Sequence, residues 1–504
     1  MFILNLIVFI IVLGLVIFIH ELGHFLLAKR AGILCHEFAL GMGPVLWQKK
    51  VGETVYSLRV FPIGGYVMMA GEEINDAFVR QGQTVKLVEE KGVITQIVLD
   101  VTAPEFEDAP LVTIESFDLR GANGETLHIN GTEVSRTALI LQKDKAIQIA
   151  PYDRSFESKT LLQRFNAIFA GPLMNFILAF VLFVIVAMLS GFPVTDSNEV
   201  GVVSETLPAG AVLDVGDRIV AVEGEAIVNW DEFTVAMQSR LGVRNLTLTI
   251  ARDDTLFDTV LNPRLFFYSV GFNSHPEATT DVRIGPVVSG TLAATAGIQE
   301  NDVIVAVDGM AITSWQQLTL ILSEEASTRT FTLARGGDTV QATIEPYENS
   351  LLEVQGVRAV ESLIGVSPAS EFRFLPSFSQ GALGVLGAST LIFDTLRLLF
   401  NSSQVGVGDL AGPIGIFTIT AQASSQGLVV LLNWIGLLSV NLGILNLLPI
   451  PALDGGRIVF LGYETVSGKK VNKQFENVLH TVVLVLLLTL MLFVAFNDVL
   501  RLFN

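Results

Sequence analysis

Two imidazoles four positions apart, with a carboxylate beside the first, stand out in this chain as His20-Glu21-Leu22-Gly23-His24. On a helix, residues four apart share a face, so both rings can reach one tetrahedral ion with metal–nitrogen distances near ~2.0–2.1 Å. The H-E-x-x-H spacing is that of zinc peptidases, in which the glutamate takes a proton from a metal-bound water. Two histidines leave a catalytic zinc one protein ligand short. Cys35 is the single cysteine, so the missing ligand is a histidine or a carboxylate. His128 and His275 fall in soluble stretches, His36 follows the motif, and His480 begins a later apolar segment. Asp454, in Asn446-Leu-Leu-Pro-Ile-Pro-Ala-Leu-Asp454-Gly-Gly, is the better candidate. Pro449 and Pro451 break a helix there, and Gly455 and Gly456 allow close approach. The alternative for Asp454 is a polar cap on a turn.

The segment that carries the motif is itself apolar. Ile7–Ile19 leads straight into His20, and Phe25-Leu-Leu-Ala28 continues the helix before Lys29 and Arg30. Polar residues at a helix end can snorkel to the headgroups. Here, however, two imidazoles and a carboxylate sit at membrane depth, where an unpaired charged side chain costs about 2.5 kcal/mol or more. A bound metal offsets that cost.

The whole composition agrees with a membrane setting. Of 504 residues 51% are hydrophobic and only 16% charged, against ~25% charged in soluble domains, and the mean hydropathy is +0.56. The net charge of −19 disfavours nucleic acid as a partner, because phosphate is held by clustered Lys and Arg. Four segments have the roughly 20 apolar residues a span requires: 1–28, 165–190, 427–448 and 477–497. The first lacks the basic start and small-residue cleavage site of a secretory signal and is expected to remain. Lys29, Arg30, Lys49, Lys50 and Arg59 follow the first span, and Arg154, Lys159 and Arg164 precede the second. Arg457, Lys469, Lys470 and Lys473 lie between the last two. By the positive-inside rule these clusters are cytoplasmic, which puts both termini outside and the motif near the cytoplasmic side.

Between the spans lie four further regions. Residues 36–70 are punctuated by Gly41, Gly43, Pro44, Gly52, Pro62, Gly64 and Gly65 and read as a membrane-associated β-hairpin. Residues 71–150, rich in Val, Ile and Thr, read as a small cytoplasmic β domain. In the outer segment, Leu207-Pro-Ala-Gly-Ala, Asp217-Arg-Ile-Val-Ala-Val-Glu-Gly224 and Trp230 recur as Leu292-Ala-Ala-Thr-Ala, Asp302-Val-Ile-Val-Ala-Val-Asp-Gly309 and Trp315. The two copies, 196–264 and 280–346, resemble tandem PDZ domains, which take an extended peptide at a sheet edge; copies that serve only as spacers or lids are the alternative. Residues 347–426 read as a linker with interfacial amphipathic helices, among them Gly381–Phe400 with Asp394 and Arg397.

Taken together, the residues resemble the site-2 intramembrane zinc metalloproteases of the bacterial RseP/RasP type. The likeness rests on His20 to His24, Phe61-Pro-Ile-Gly-Gly-Tyr66, Gly171-Pro-Leu-Met-Asn175, the two PDZ-like copies, Leu410-Ala-Gly-Pro-Ile-Gly415 and Asn446 to Gly456. It covers nearly the whole chain. The resemblance implies an α-helical membrane protein with four transmembrane helices, a membrane-associated β-hairpin, a small cytoplasmic β domain and two extracytoplasmic PDZ-like domains, in a bacterial cytoplasmic membrane. It implies Zn²⁺ on His20, His24 and Asp454, with Glu21 as general base. Asn446, beside the Pro449/Pro451 break, would contact the unwound substrate backbone, the hairpin would hold that backbone extended, and Asn175 would help position the core helices and substrate. The implied substrates are single-pass proteins already trimmed outside, such as anti-sigma factors, and signal-peptide remnants, with the PDZ pair as a size filter. A zinc transporter would need a polar pathway through several helices, and a PDZ scaffold would leave the histidine motif without a role.

Overall fold

The computed structural model describes residues 2–503 except 72–78, 122–124, 143–144, 206, 241–242, 244, 254, 268–269, 275–280, 288–290, 324–327, 345–359, 402–411 and 470. His275, Lys470, Leu410 and Ala411 lie outside the described residues. The chain forms two compact units, Met1–Leu189 with Phe374–Asn504, and Ser190–Arg373. Four helices are long and apolar enough to cross a membrane: Phe2–Arg30, Leu161–Ser190, Leu428–Leu447 and Gln474–Val499. They fall on the four expected spans.

The first span is α1 (Phe2–Arg30). After it come β1 (Cys35–Val51) and β2 (Thr54–Met69), which form more than one hairpin. Ala39 pairs with Tyr66 on one side and with Ser57 on the other, and Leu40 likewise with Gly65 and Leu58, while Trp47–Lys50 pair with Leu58–Val55. The expected single hairpin is therefore folded double. Its segments lie in the order 65–69, 35–40, 55–58, 47–51. Gly41, Gly43 and Gly64, all with φ between 84° and 86°, make the bends possible. Met42, Leu46, Trp47 and Phe61 are exposed around these bends, an apolar rim suited to lipid. At the opposite end Glu53, in the β1–β2 turn, receives Lys29 Nζ at 2.5 Å and the two terminal nitrogens of Arg154 at 2.7 and 2.8 Å. Arg154, then Lys29, hold the Glu53 carboxyl down at about 2.

Residues 84–148 form a separate sheet of seven strands. Its middle strand pair, Val93–Val98 and Thr132–Gln142, is parallel, and Ile94, Ile97, Ile129 and Ile140 build its core. The chain then enters α2 (Leu161–Ser190), which contains Pro172.

In the unit Ser190–Arg373 the two repeat copies fold alike. Each has a four-stranded antiparallel sheet, with α3 (Trp230–Gln238) in the first copy and α4 (Leu292–Thr295) and α5 (Trp315–Ser323) in the second. Buried Asp217 pairs with Arg252, and Asp302 makes the same pair with Arg335. The boundaries differ from those expected. Val366–Pro368 pairs with Val200–Val203, and Ile364 is buried in the first copy's core, so residues read as linker complete that copy. Val270 is buried in the second copy's core, which thus begins before residue 280. The second copy is inserted into the first, an arrangement invisible to a reading that follows the repeat along the chain.

The remaining helices are α6 (Phe374–Asn401), α7 (Pro413–Ser425), α8 (Leu428–Leu447), α9 (Asp454–Ser467) and α10 (Lys473–Phe503). The segment expected to lie along the bilayer surface is the 28-residue α6, and it packs lengthwise on two spans. Cβ atoms at Gly381 and Gly384 would strike Val184 and Phe183, and Ala388 is buried with Ala179, Val440 and Ile444. Small residues three and four apart give α6 a flat face, and this allows the close approach. Asp498 of α10 accepts the Gly415 backbone N–H at 2.9 Å in the first turn of α7.

Candidate metal centre

Helical spacing puts His20 and His24 on one face of α1, and both are nearly closed to solvent, at 6% and 7% exposure. Their Nε2 atoms lie 3.2 Å apart. Asp454 Oδ2 lies 3.2 Å from the first and 3.4 Å from the second. A tetrahedron with bonds near ~2.0–2.1 Å has edges of ~3.3–3.4 Å, so these three atoms stand as three of its corners. Asp454 Oδ2 is buried with no hydrogen-bond donor aligned on it among the described residues. Two imidazole nitrogens and a carboxylate oxygen are the donor atoms that zinc takes. The site fits zinc.

The other ring nitrogens are held so that Nε2 faces the cluster. His24 Nδ1 donates to the Ala167 carbonyl at 2.9 Å. His20 Nδ1 lies 3.2 Å from the side-chain amide of Asn175. A half-turn of that amide leaves its shape unchanged and brings Oδ1, otherwise without a partner among the described residues, onto the Nδ1 proton. Outer partners of this kind fix the tautomer and ring orientation of metal-binding histidines. Asn175 is 0% exposed. Its side chain meets His20 of α1, and its backbone carbonyl accepts the Ser439 hydroxyl of α8 at 2.8 Å.

Two glycines that local sequence reasoning left without a role permit the cluster. A Cβ at Gly171 would lie 2.3 Å from His24 Nε2 and 2.9 Å from His20 Nε2, and one at Gly23 would lie 2.2 Å from the Ala170 carbonyl oxygen. Helices α1 and α2 can touch here only because neither position has a side chain. The signal for Gly171 was its place four residues before Asn175.

Asp454 opens α9 after a turn in which Ile450 N bonds Leu448 O and Leu453 N bonds Ile450 O. Ala452 takes φ 90°. Cβ atoms at Gly455 and Gly456 would lie 2.2 Å from Leu448 O and 2.5 Å from Ile450 O, so the close approach expected of this glycine pair is what the turn uses. Asn446, on the last turn of α8, and Pro451 are half-buried, whereas Pro449 is exposed; they frame the turn outside the cluster of ligand atoms. Glu21 faces the folded sheet: a Cβ at Gly65 would lie 2.9 Å from Glu21 Cγ and 3.2 Å from Ile17 Cγ2. The backbone of Gly65, at the start of the outer segment 65–69, thus lies beside the Glu21 side chain. Of the other described histidines, His36 is pushed down to about 4 by burial, and neither it nor His128 nor His480 joins the cluster.

Two imidazoles on the membrane-crossing helix α1 and a carboxylate at the start of α9, at ligand spacing with a glutamate alongside, fit a membrane-embedded zinc metalloprotease. The family model "Peptidase family M50" matches residues 8–490. The chain belongs to peptidase family M50. It is 33% identical to the zinc metalloprotease RasP of Shouchella clausii, over 99% of this chain and 100% of that one. To the zinc metalloprotease RasP of Geobacillus kaustophilus it is 33% identical, over 99% and 98%. With the regulator of sigma-W protease RasP of Bacillus subtilis it shares 31% identity over the full length of both.

Proposed function

We propose that the chain hydrolyses a peptide bond within the transmembrane segment of a single-pass protein already trimmed outside, with His20, His24 and Asp454 holding zinc and Glu21 as general base. The observation that carries this reading is the spacing of 3.2, 3.2 and 3.4 Å among the three ligand atoms. When bound, zinc acidifies a water and polarises the scissile carbonyl. Glu21 takes the proton of the attacking water on its carboxylate and returns it to the leaving amine.

A helical peptide bond is covered by its own hydrogen bonds and side chains, so the substrate must first be unwound. The outer edge of residues 65–69, which lies beside Glu21 at Gly65, can replace the lost backbone partners by adding the substrate as a strand. Asn446 and the Pro449/Pro451 turn hold the unwound backbone from the other side. The basic clusters favour a site near the cytoplasmic face, with the repeat copies, read as PDZ-like domains, outside, where they would exclude untrimmed proteins by size. A relative named as a regulator of sigma-W protease favours anti-sigma-factor-like substrates, alongside signal-peptide remnants.

The test is cleavage of a truncated single-pass substrate in detergent or vesicles, with zinc content measured in parallel. Wild type cleaves, and Glu21→Gln retains zinc but does not. Metal flux without proteolysis would instead identify a transporter.

A further inference from the structure

Arg164 is a cation 5% exposed in the first turn of α2, where the proposed chemistry has no use for it. Its guanidinium lies 5.8 Å from the centre of the Phe156 ring and pairs with Glu464 of α9. One turn further along α2, the Ala167 carbonyl holds His24 Nδ1. The same stretch of one helix therefore grips a metal-facing imidazole and the helix that begins with Asp454.

Glu464 lies ten residues beyond Asp454, about 15 Å along the axis of α9. At its first turn α9 is seated by the glycine contacts with Leu448 and Ile450. Farther along, Val459, Tyr463 and Val466 are exposed, and Leu461 is buried. A helix seated at one end can pivot, and a second fixed point at the other end sets the direction in which its first residue points. Leu461 and Glu464, one turn apart, are that second point, and Glu464 supplies its polar contact.

We propose that the Arg164–Glu464 pair is a positioning device that aims the third ligand and thereby raises zinc affinity from outside the ligand set; this rests on the reading of Asp454 as a ligand. A pair kept only for stability would behave differently. Replacing both members of a buried ion pair by apolar residues is often neutral for stability, whereas removing one leaves an uncompensated charge.

The experiment uses the full chain in detergent and measures zinc Kd by chelator competition, together with the melting temperature of the metal-free protein, for E464Q, R164M/E464M and D454N. Expected are a zinc Kd raised about tenfold or more in E464Q, as for outer-shell substitutions, and in R164M/E464M a wild-type melting temperature with zinc binding still weakened. Wild-type zinc affinity in the double variant overturns the proposal, even if E464Q does not fold. D454N is the separate control: if it binds zinc as wild type does, the ligand assignment falls whatever the Glu464 variants show.

Discussion

The carbonyl oxygen of Ala167 accepts the Nδ1 proton of His24 at 2.9 Å, joining α1 to α2 across 143 residues of sequence. This bond fixes which nitrogen of His24 faces Asp454. It also places the backbone of α2 so close behind the cluster that only glycine fits at position 171.

Gly171→Ala puts a methyl carbon 2.3 Å from His24 Nε2, well inside contact distance. The imidazoles or the helix must shift, and overpacking of this kind costs about 1–3 kcal/mol. Zinc content of the purified variant is expected to fall well below one ion per chain. Full occupancy would mean that α2 does not back the site.

Asn175→Leu removes the side-chain partner that His20 Nδ1 has among the described residues and leaves that N–H buried. Zinc affinity is expected to drop about 10–100-fold, while Asn175→Asp, which keeps an acceptor oxygen, retains most of it. Chelator competition separates the two outcomes. Equal losses would point to packing of α1 on α2 as the sole role of Asn175.

Asp454→Asn and Glu21→Gln should split binding from chemistry. The first weakens zinc retention, and the second leaves it intact while lowering cleavage by at least about 10²-fold, the lower range for a lost general base. Metal analysis alongside single-turnover cleavage checks both. Turnover by Glu21→Gln at the wild-type rate would remove Glu21 from the proton path.

Gly65→Val places a branched side chain against Glu21 and the Ala39 carbonyl. Cleavage of a transmembrane substrate should fall at least tenfold with zinc content unchanged, because the edge proposed to receive the substrate is displaced and the ligands are not. Unaltered cleavage would show that the substrate does not dock on residues 65–69.

The pH dependence of the sheet base follows from Glu53. Its folded value of about 2 lies below the ordinary 4.5, so its contribution to stability is complete above about 4.5 and is lost as pH falls toward 2. Melting temperature should decline over that window in wild type, and Glu53→Gln should lack this component of the decline. Parallel pH profiles for the two proteins would exclude the clasp of Lys29, Glu53 and Arg154 as a stabilising contact.

Much of the site was legible because it is local. A 3.6-residue period puts His20 and His24 on one face wherever the helix goes, and apolar runs of sufficient length mark the four spans whatever they pack against. The proline and glycine pattern around Asp454 announced a tight turn for the same reason. Sequence alone therefore determined the membrane setting and the pair of imidazoles on one helix face, and it singled out Asp454 as the carboxylate candidate.

Tertiary structure decided the rest. Asp454 lies more than four hundred residues beyond His24, and only the crossing of α1 on α2, with α9 turned back beneath α8, brings its oxygen to ligand distance. Gly171 was a small residue in a motif until a neighbouring helix gave it two imidazoles to avoid, and Asn175 was one polar residue among several until His20 came beside it. The doubled sheet, the insertion of one repeat copy into the other and the packing of α6 on α2 and α8 share that cause. Each depends on contacts between residues far apart in the chain, which no periodicity within a segment encodes.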